Sequence, residues 1–506
     1  MPDEIPRPGR GLWLRFLIAG LAIVLISGAA TATVALNTVG GIAAEVFPTA
    51  SHIDAPKSVV DPEYSGGPQT FLVLGSDRRE KSKDTFDLTD PPHSDTILLV
   101  RFDPEQGQTS VMSIPRDLKV DITTPQGTYA NEKINAAYTI GSKLGGTKGA
   151  TLLAAETIEK EVFPGLHLNG IVDVNFAGFI KVVDTLGCAY VNVDHRYYNE
   201  NVGSTETDYT SINLQPGYQK LCYENALDYV RYRHTDSDFV RVARQQDFLR
   251  DLREQISPEN ALGQIDTVAK AVGHAISSTF RASASELIEL TKLVAFSQTK
   301  PLRQVPFQTT SSGTMIGGVS FVTSDPELEE KTLQNFLHGD EKVEVPSPTA
   351  GSSHHHSSHS SGEVPGLYPT SSSGEQEVLQ AAVNVPFRVL YPAVQTGVAT
   401  QQQVRPYTLD DQQGHLHHAY VVVWQENEIG GYYDFEGSDW LNPPLFAHAR
   451  TAVIDGRSYR MVDDGSHIHV IGWRSGRVLY WVTNTLLEEL SNAQMIAIAR
   501  SAHTLH

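Results

Sequence analysis

An α/β layered domain followed by a smaller α+β module is the fold class this sequence predicts, and three observations predict it. Short apolar runs with β-branched residues at 70–74 and 96–102, and an alternating run at 108–114, share the region 68–340 with segments whose apolar residues recur at threes and fours. Strands mixed with helices in one continuous region make a layered α/β domain. Residues 341–377 then lose that patterning, and strand-like runs resume from Val378 to the end at 506, a length beyond what one hydrophobic core usually organises. With 40% hydrophobic and 19% charged residues the composition is that of a globular chain, so disorder can only be local.

From the N-terminus, residues 1–15 carry Arg7, Arg10 and Arg15 ahead of an uncharged run at 16–36, about the length that spans a hydrocarbon core of roughly 30 Å. Positive residues on the short side hold that end in the cytoplasm, so the sequence predicts a single-pass protein of the cell membrane with its folded domains outside. A cleaved signal peptide is the other reading of Ala30-Thr31-Ala32, although the run exceeds the roughly 7–15 residues of a signal core. Residues 37–67, polar and Pro-containing, read as a stalk. Helical spacing marks 149–162, 242–255 and 283–295. Cys188 and Cys222, the two cysteines, are either a disulfide of an oxidising compartment or two buried thiols, and neither sits in a zinc-binding pattern. The tract His354-His355-His356-Ser357-Ser358-His359 within 341–377 is either a metal binder or part of a disordered Ser/His/Pro linker. Residues 378–506 form the α+β module, with strands at 387–391, 420–424, 458–462 and 478–482 and a helix at 492–502. Its aromatic residues Trp424, Tyr432, Tyr433 and Trp440 stack on sugars in one reading and fill a core or interface in the other.

A formal charge of -20 argues against a nucleic-acid binder, which needs a cationic surface, and any anionic ligand must meet a local concentration of arginine. Such concentrations occur at strand ends. The first strand runs into Gly75-Ser76-Asp77-Arg78-Arg79, the second is entered through Ser94-Asp95, and the third empties into Pro115-Arg116-Asp117. Carboxylate oxygens suit Mg²⁺, which is completed by water and phosphate oxygens, and the arginine fork suits the phosphates themselves. A second cluster occupies 228–246. Strand alternation there places Arg231 and Arg233 on one face, and Arg241 and Gln245 share one side of a following helix. A solvated network of Arg/Asp ion pairs is the competing reading.

The motifs Phe71-Leu72-Val73-Leu74-Gly75-Ser76-Asp77-Arg78-Arg79, Ser94-Asp95-Thr96-Ile97-Leu98, Ser113-Ile114-Pro115-Arg116-Asp117, Lys133-Ile134-Asn135 and the 231–246 block, in this order, resemble the LytR-CpsA-Psr (LCP) family. The resemblance covers roughly 66–340 and implies a mixed central sheet flanked by helices, enclosing a long apolar pocket for a polyprenyl chain. It implies a Mg²⁺-dependent phosphotransferase that moves a polyprenyl-pyrophosphate-linked glycan onto peptidoglycan at the cytoplasmic membrane and releases the polyprenyl phosphate. Carried over by position, Asp77 and Asp95 are the metal ligands, and Arg116, Arg231, Arg233, Arg241 and Gln245 clamp the pyrophosphate. Arg79 joins the clamp and Asp117 orients Arg116. The chain departs from the family pattern at His93, where an arginine is common, and over 80–92, a longer and more acidic stretch. A polyprenyl-pyrophosphate phosphatase and a noncatalytic wall-binding or regulatory protein are the competing functions.

Overall fold

The computed structural model describes residues 51–61, 67–78, 91–200, 211–232, 238–255, 276–281, 302–339, 364–427, 431–447, 449–464 and 466–505. The run at 16–36, the helix expected at 283–295 and the His-rich tract lie outside them, as do Arg79 and Arg233. Among the described residues no helix is long and apolar enough to cross a membrane.

The three expected strands are β1 (Gln69–Ser76), β2 (Ser94–Asp103) and β3 (Gln108–Ser113). A hairpin of β4 (Lys119–Thr124) and β5 (Gly127–Lys133) leads into α1 (Ala136–Thr157), broken at Gly145-Gly146, and the chain returns as β6 (Gly170–Asn175). The helix expected at 149–162 is the second half of α1 with the π-helical turn Ile158–Val162. There follow α2 (Phe176–Thr185), the paired strands β7 (Ala189–Val193) and β8 (Gly217–Leu221), α3 (Tyr223–Arg231) and α4 (Asp238–Glu254). Short strands β9 (Ile276–Ser278) and β10 (Leu302–Gln304) and helix α5 (Pro326–His338) complete this unit. The sheet order is β9-β6-β1-β2-β3-β10. It is mixed, because β1 runs antiparallel to β2 and parallel to β6. β1 is buried on both faces, which is why Phe71-Leu72-Val73-Leu74 is a continuous apolar run. Leu72, Leu74, Ile97 and Leu99 pack with Tyr138 and Ala154 of α1. Their neighbours Leu98 and Val174 line a cavity with residues of α2, α3 and α4.

The stalk reading changes, and the disulfide reading of the cysteines holds. Residues 51–61 are not a stalk: Val59 and Val60 are buried in the same core as α1, and Val60 bridges to Leu168, because an adjacent apolar pair gains more on the domain's rim than in water. The cysteines form a disulfide, with Cα atoms 4.8 Å apart, that ties the start of β7 to the start of α3.

The C-terminal unit opens earlier than Val378, with α6 (Ser372–Ala382) beginning within the expected linker; Ser371 caps it by accepting from the Gly374 N–H. Its sheet comprises β11 (Thr400–Asp410), β12 (Leu416–Gln425), β13 (Tyr432–Ser438), β14 (Arg450–Ile454), β15 (Arg457–Asp464), β16 (His467–Ser475) and β17 (Val478–Thr483), followed by α7 (Asn492–Ser501) and a short strand, His503–Thr504, that pairs with Leu390–Tyr391. The order is β11-β12-β13-β17-β16-β15-β14, antiparallel throughout, with β11, which contains Pro406, at one edge. The run expected at 387–391 is a strand only at Leu390–Tyr391. Trp424 and Tyr433 stack at 5.4 Å and are fully buried, so they are core and not a sugar platform. Tyr432 stacks on His195 at 4.1 Å and Trp440 meets Tyr190 at 5.3 Å. Both therefore belong to the contact between the two units.

That contact is extensive. Tyr190 and Tyr218 of the β7–β8 pair share one apolar cluster with Tyr407, Trp440 and Trp481. Behind it Asn192 donates to Asp434 at 3.0 Å, and the Tyr218 N–H and the Tyr407 hydroxyl donate to Glu436. Asp434 and Glu436 are wholly buried.

Candidate active site

Asp77 follows the last residue of β1. A Cβ at Gly75 would lie 2.9 Å from that of Thr96, so glycine is what lets β1 and β2 approach there. The His93 N–H donates to Asp77 Oδ1 at 2.6 Å, the Asp77 N–H donates back to the His93 carbonyl at 3.1 Å, and the His93 ring stands 3.9 Å from Oδ2. The carboxylate is thus held at the entry to β2 that also carries Asp95. Arg116, two residues beyond the buried Ile114, bonds Asp95 through Nη1. Asp117 Oδ1 lies 3.7 Å from Arg116 Nε and 3.0 Å from Lys133 Nζ, which sets the guanidinium between two carboxylates.

The second cluster differs from its sequence reading in one respect. Arg231 ends helix α3 and does not lie on a strand; its guanidinium sits 4.0 Å from the centre of the Phe176 ring. The helix forms because Ala226, Leu227 and Val230 supply the buried stripe at helical spacing. Arg241 and Gln245 do share one side of α4, and both line the same cavity as Arg231. Gln245 accepts from Thr96 Oγ1 at 3.2 Å and donates to the Val230 carbonyl at 3.0 Å, joining α4 to β2 and α3. Arg244, fully buried, donates to the carbonyls of Tyr229 and Tyr232 and to the Tyr197 hydroxyl, so it fixes the backbone on either side of Arg231.

Two cavities meet at this cluster. One, of about 200 Å³, is lined by Leu98, Val174, Phe176, Phe179, Val230 and Phe248, with Asp95, Arg116, Arg231, Arg241 and Gln245 also in its wall. The other, of about 610 Å³, is more polar: Asp77, His93, Asp117, Lys133 and Asn135 line it together with the apolar Ile316, Val319 and Phe321, and Asp95 and Arg116 are again in its wall. Asp95 and Arg116 therefore stand in a wall shared by the apolar chamber and a more polar cavity. Among the described residues the apolar chamber falls below the roughly 300–1,000 Å³ of a whole small-molecule site.

Charge follows the same plan. Burial works to raise the Asp95 carboxyl, but Arg116, Arg241 and Arg231 together hold it below the ordinary carboxylate range. Burial pushes Asp77 up, the His93 N–H opposes it, and the Asp95 charge adds to the rise. Sequence reasoning did not single out Lys133 for the site, although its motif was visible, because its partner Asp117 lies on another segment. Nor did it find the chamber wall, since Phe176, Phe179 and Phe248 follow the same apolar pattern as core residues. Arg78 turns to the buried Asp173, at 3.8 Å, and to Thr147.

Biofilm regulatory protein A of Streptococcus mutans is 27% identical over 255 residues, covering 49% of this chain and 58% of its own length. Regulatory protein MsrR of Staphylococcus aureus is 29% identical over 197 residues, covering 38% and 51%. The chain thus spans about half the length of the curated relatives it matches. Among solved structures, B. subtilis TagV shares 24% identity at a TM-score of 0.40, with 54% of this chain and 97% of that chain covered. TagT bound to LI-WTA shares 22% at a TM-score of 0.39, with 57% and 98% covered. The LytR_cpsA_psr family model matches residues 42–336, more than half of the chain and all the described site residues, and the chain belongs to that family.

Proposed function

We propose that the protein transfers a polyprenyl-pyrophosphate-linked glycopolymer to a hydroxyl of peptidoglycan, outside the membrane that its N-terminal run anchors it to. The observation that carries this reading is the meeting of an apolar and a polar cavity at Asp95 and Arg116, with Arg231 and Arg241 in the same wall. Such a site suits a ligand with an apolar tail, a polar head and two phosphates between them. The disulfide supports an oxidising compartment.

In this reading the lipid end enters the chamber of Phe176, Phe179 and Phe248, the pyrophosphate lies against Arg116, Arg231 and Arg241, and the glycan extends into the polar cavity. The acceptor hydroxyl attacks the phosphorus nearer the glycan. A new P–O bond forms, the bridging P–O bond breaks, and its electron pair leaves with the polyprenyl phosphate. The guanidiniums stabilise the charge that grows on the leaving oxygen, and the fixed cavity walls supply alignment. Asp77, Asp95 and Asp117 are the carboxylates placed to accept the hydroxyl proton. Asp77 and Asp95 fit a Mg²⁺ site, because two hard carboxylates share the polar cavity and the charge of one raises the other. Bound there, the ion would neutralise phosphate charge.

The test is full-length protein with a polyprenyl-pyrophosphoryl glycan, a soluble peptidoglycan acceptor and mass analysis of products. A covalent glycan–peptidoglycan adduct that requires Mg²⁺ and Arg231 is the expected result. Free glycan phosphate would show hydrolysis, and binding without turnover would show a regulatory binder.

A further inference from the structure

The face of α4 opposite Arg241 and Gln245 belongs to the C-terminal unit. Arg250, 4% exposed, lies between Asp247 of its own helix and Asp464 of β15, whose Oδ2 is 3.1 Å from Nη1. His469 of β16, also 4% exposed, stands with Nε2 3.5 Å from Asp247 and Nδ1 2.6 Å from Glu488. The turn Pro444–Phe446 packs on the same helix. Beside these contacts lies a cleft of about 650 Å³, lined by Val242, Ala243 and Gln246 on one side and by Ser466, His467 and Leu486 on the other. Gln246 and Ser113 form the partition, because both line this cleft and the apolar chamber, and Gln246 donates to Ser113 Oγ at 3.0 Å. With the cleft open beside it, the helix that carries Arg241 and Gln245 is braced across the cleft by the ionic contacts at Asp247 and Arg250.

We infer that the C-terminal domain is a positioning element for the anion site, with Asp464 and His469 as positioning residues that set α4 and so place Arg241 and Gln245. This rests on the pyrophosphate reading of the site. It also gives the extra domain a role that needs no glycan binding of its own. Neither residue touches the ligand, and the effect passes along one rigid helix. Arg250 keeps Asp247 when Asp464 is lost, so substitution at Asp464 leaves no buried cation without a partner.

The experiment measures binding of farnesyl pyrophosphate with Mg²⁺ to the full-length chain by calorimetry, alongside thermal unfolding. Asp464→Ala is expected to weaken binding about fivefold to tenfold, the size of a coupling carried through packed elements. Asp464→Glu should recover most of it. Tyr190→Phe, which removes a contact between the units at Asp410 away from the Arg241 end, should lower the melting temperature but keep the affinity. Wild-type affinity in Asp464→Ala while Arg241→Ala loses binding would overturn the positioning role and leave the site intact. Wild-type affinity in Arg241→Ala would remove the pyrophosphate reading and the inference with it.

Discussion

Asp95 and Glu436 are carboxyls of the same protein whose surroundings shift them in opposite directions. At Asp95 burial is outweighed by Arg116, Arg241 and Arg231, and the group stays ionised. At Glu436 burial pushes the carboxyl up to about 7, against the Tyr407 hydroxyl, the Tyr218 N–H, Trp481 and Arg405, with Asp434 beside it also raised. The difference lies in how many guanidiniums face the group. A chain with 39 basic and 59 acidic residues has gathered Arg116, Arg231 and Arg241 around Asp95 and left Glu436 and Asp434 mainly to hydrogen bonds. The first arrangement suits an anion, while the second joins two domains with little charge around Glu436.

The largest effect should come from the charged side. Arg116→Ala is expected to cut transfer by about 10²–10³-fold, as for loss of one donor to a transition-state charge, with the fold retained. It should also raise the Asp95 carboxyl, read by NMR titration; an unmoved Asp95 would break the contrast. On the seam's own domain, Trp424→Ala should cost about 3–5 kcal/mol of stability in chemical denaturation, as for other buried tryptophans. Glycan retention lost at unchanged stability would instead restore the sugar-stacking role. Replacing both Cys188 and Cys222 by serine should cost about 3 kcal/mol, because the bridge fixes the hairpin that carries Asn192 and Tyr218 to the seam.

The smallest effect concerns pH. Because the folded carboxyl of Glu436 lies above its ordinary value of 4.5, the stability it contributes is full below that value and is lost as pH rises through about 7. Glu436→Gln should therefore match the wild type at pH near 5 and melt a few degrees higher at pH near 8 in calorimetry. Equal melting at both would mean that the seam is charged after all.

Legibility followed the range of the interactions. The ends of β1, β2 and β3 could be read because a buried apolar run stopping at Gly75-Ser76-Asp77 or Pro115-Arg116-Asp117 is a local signal. The side of α4 that carries Arg241 and Gln245 was equally local. Arg231 was misplaced because Tyr229-Val230-Arg231-Tyr232 alternates like a strand, while the deciding contacts come from Arg244 on the next helix. The four aromatics at 424–440 looked available for ligands only because their partners Tyr391, His195 and Tyr190 are distant in sequence. Where Asp464 and His469 meet α4, the partners are more than 200 residues apart, and no local pattern announces them.

The C-terminal sheet has two edges. On β11, Pro406 has no N–H to offer a further strand, Gln403 reaches Gln215 at 3.2 Å, and Arg405 bonds the Pro216 carbonyl. On the other side β14 spans only Arg450–Ile454, with Arg450 paired to Asp463. A blunted strand and a short charged one give a neighbouring copy little to extend. This sheet is built to end with itself, so crowded chains can stand side by side without zipping into a common ribbon.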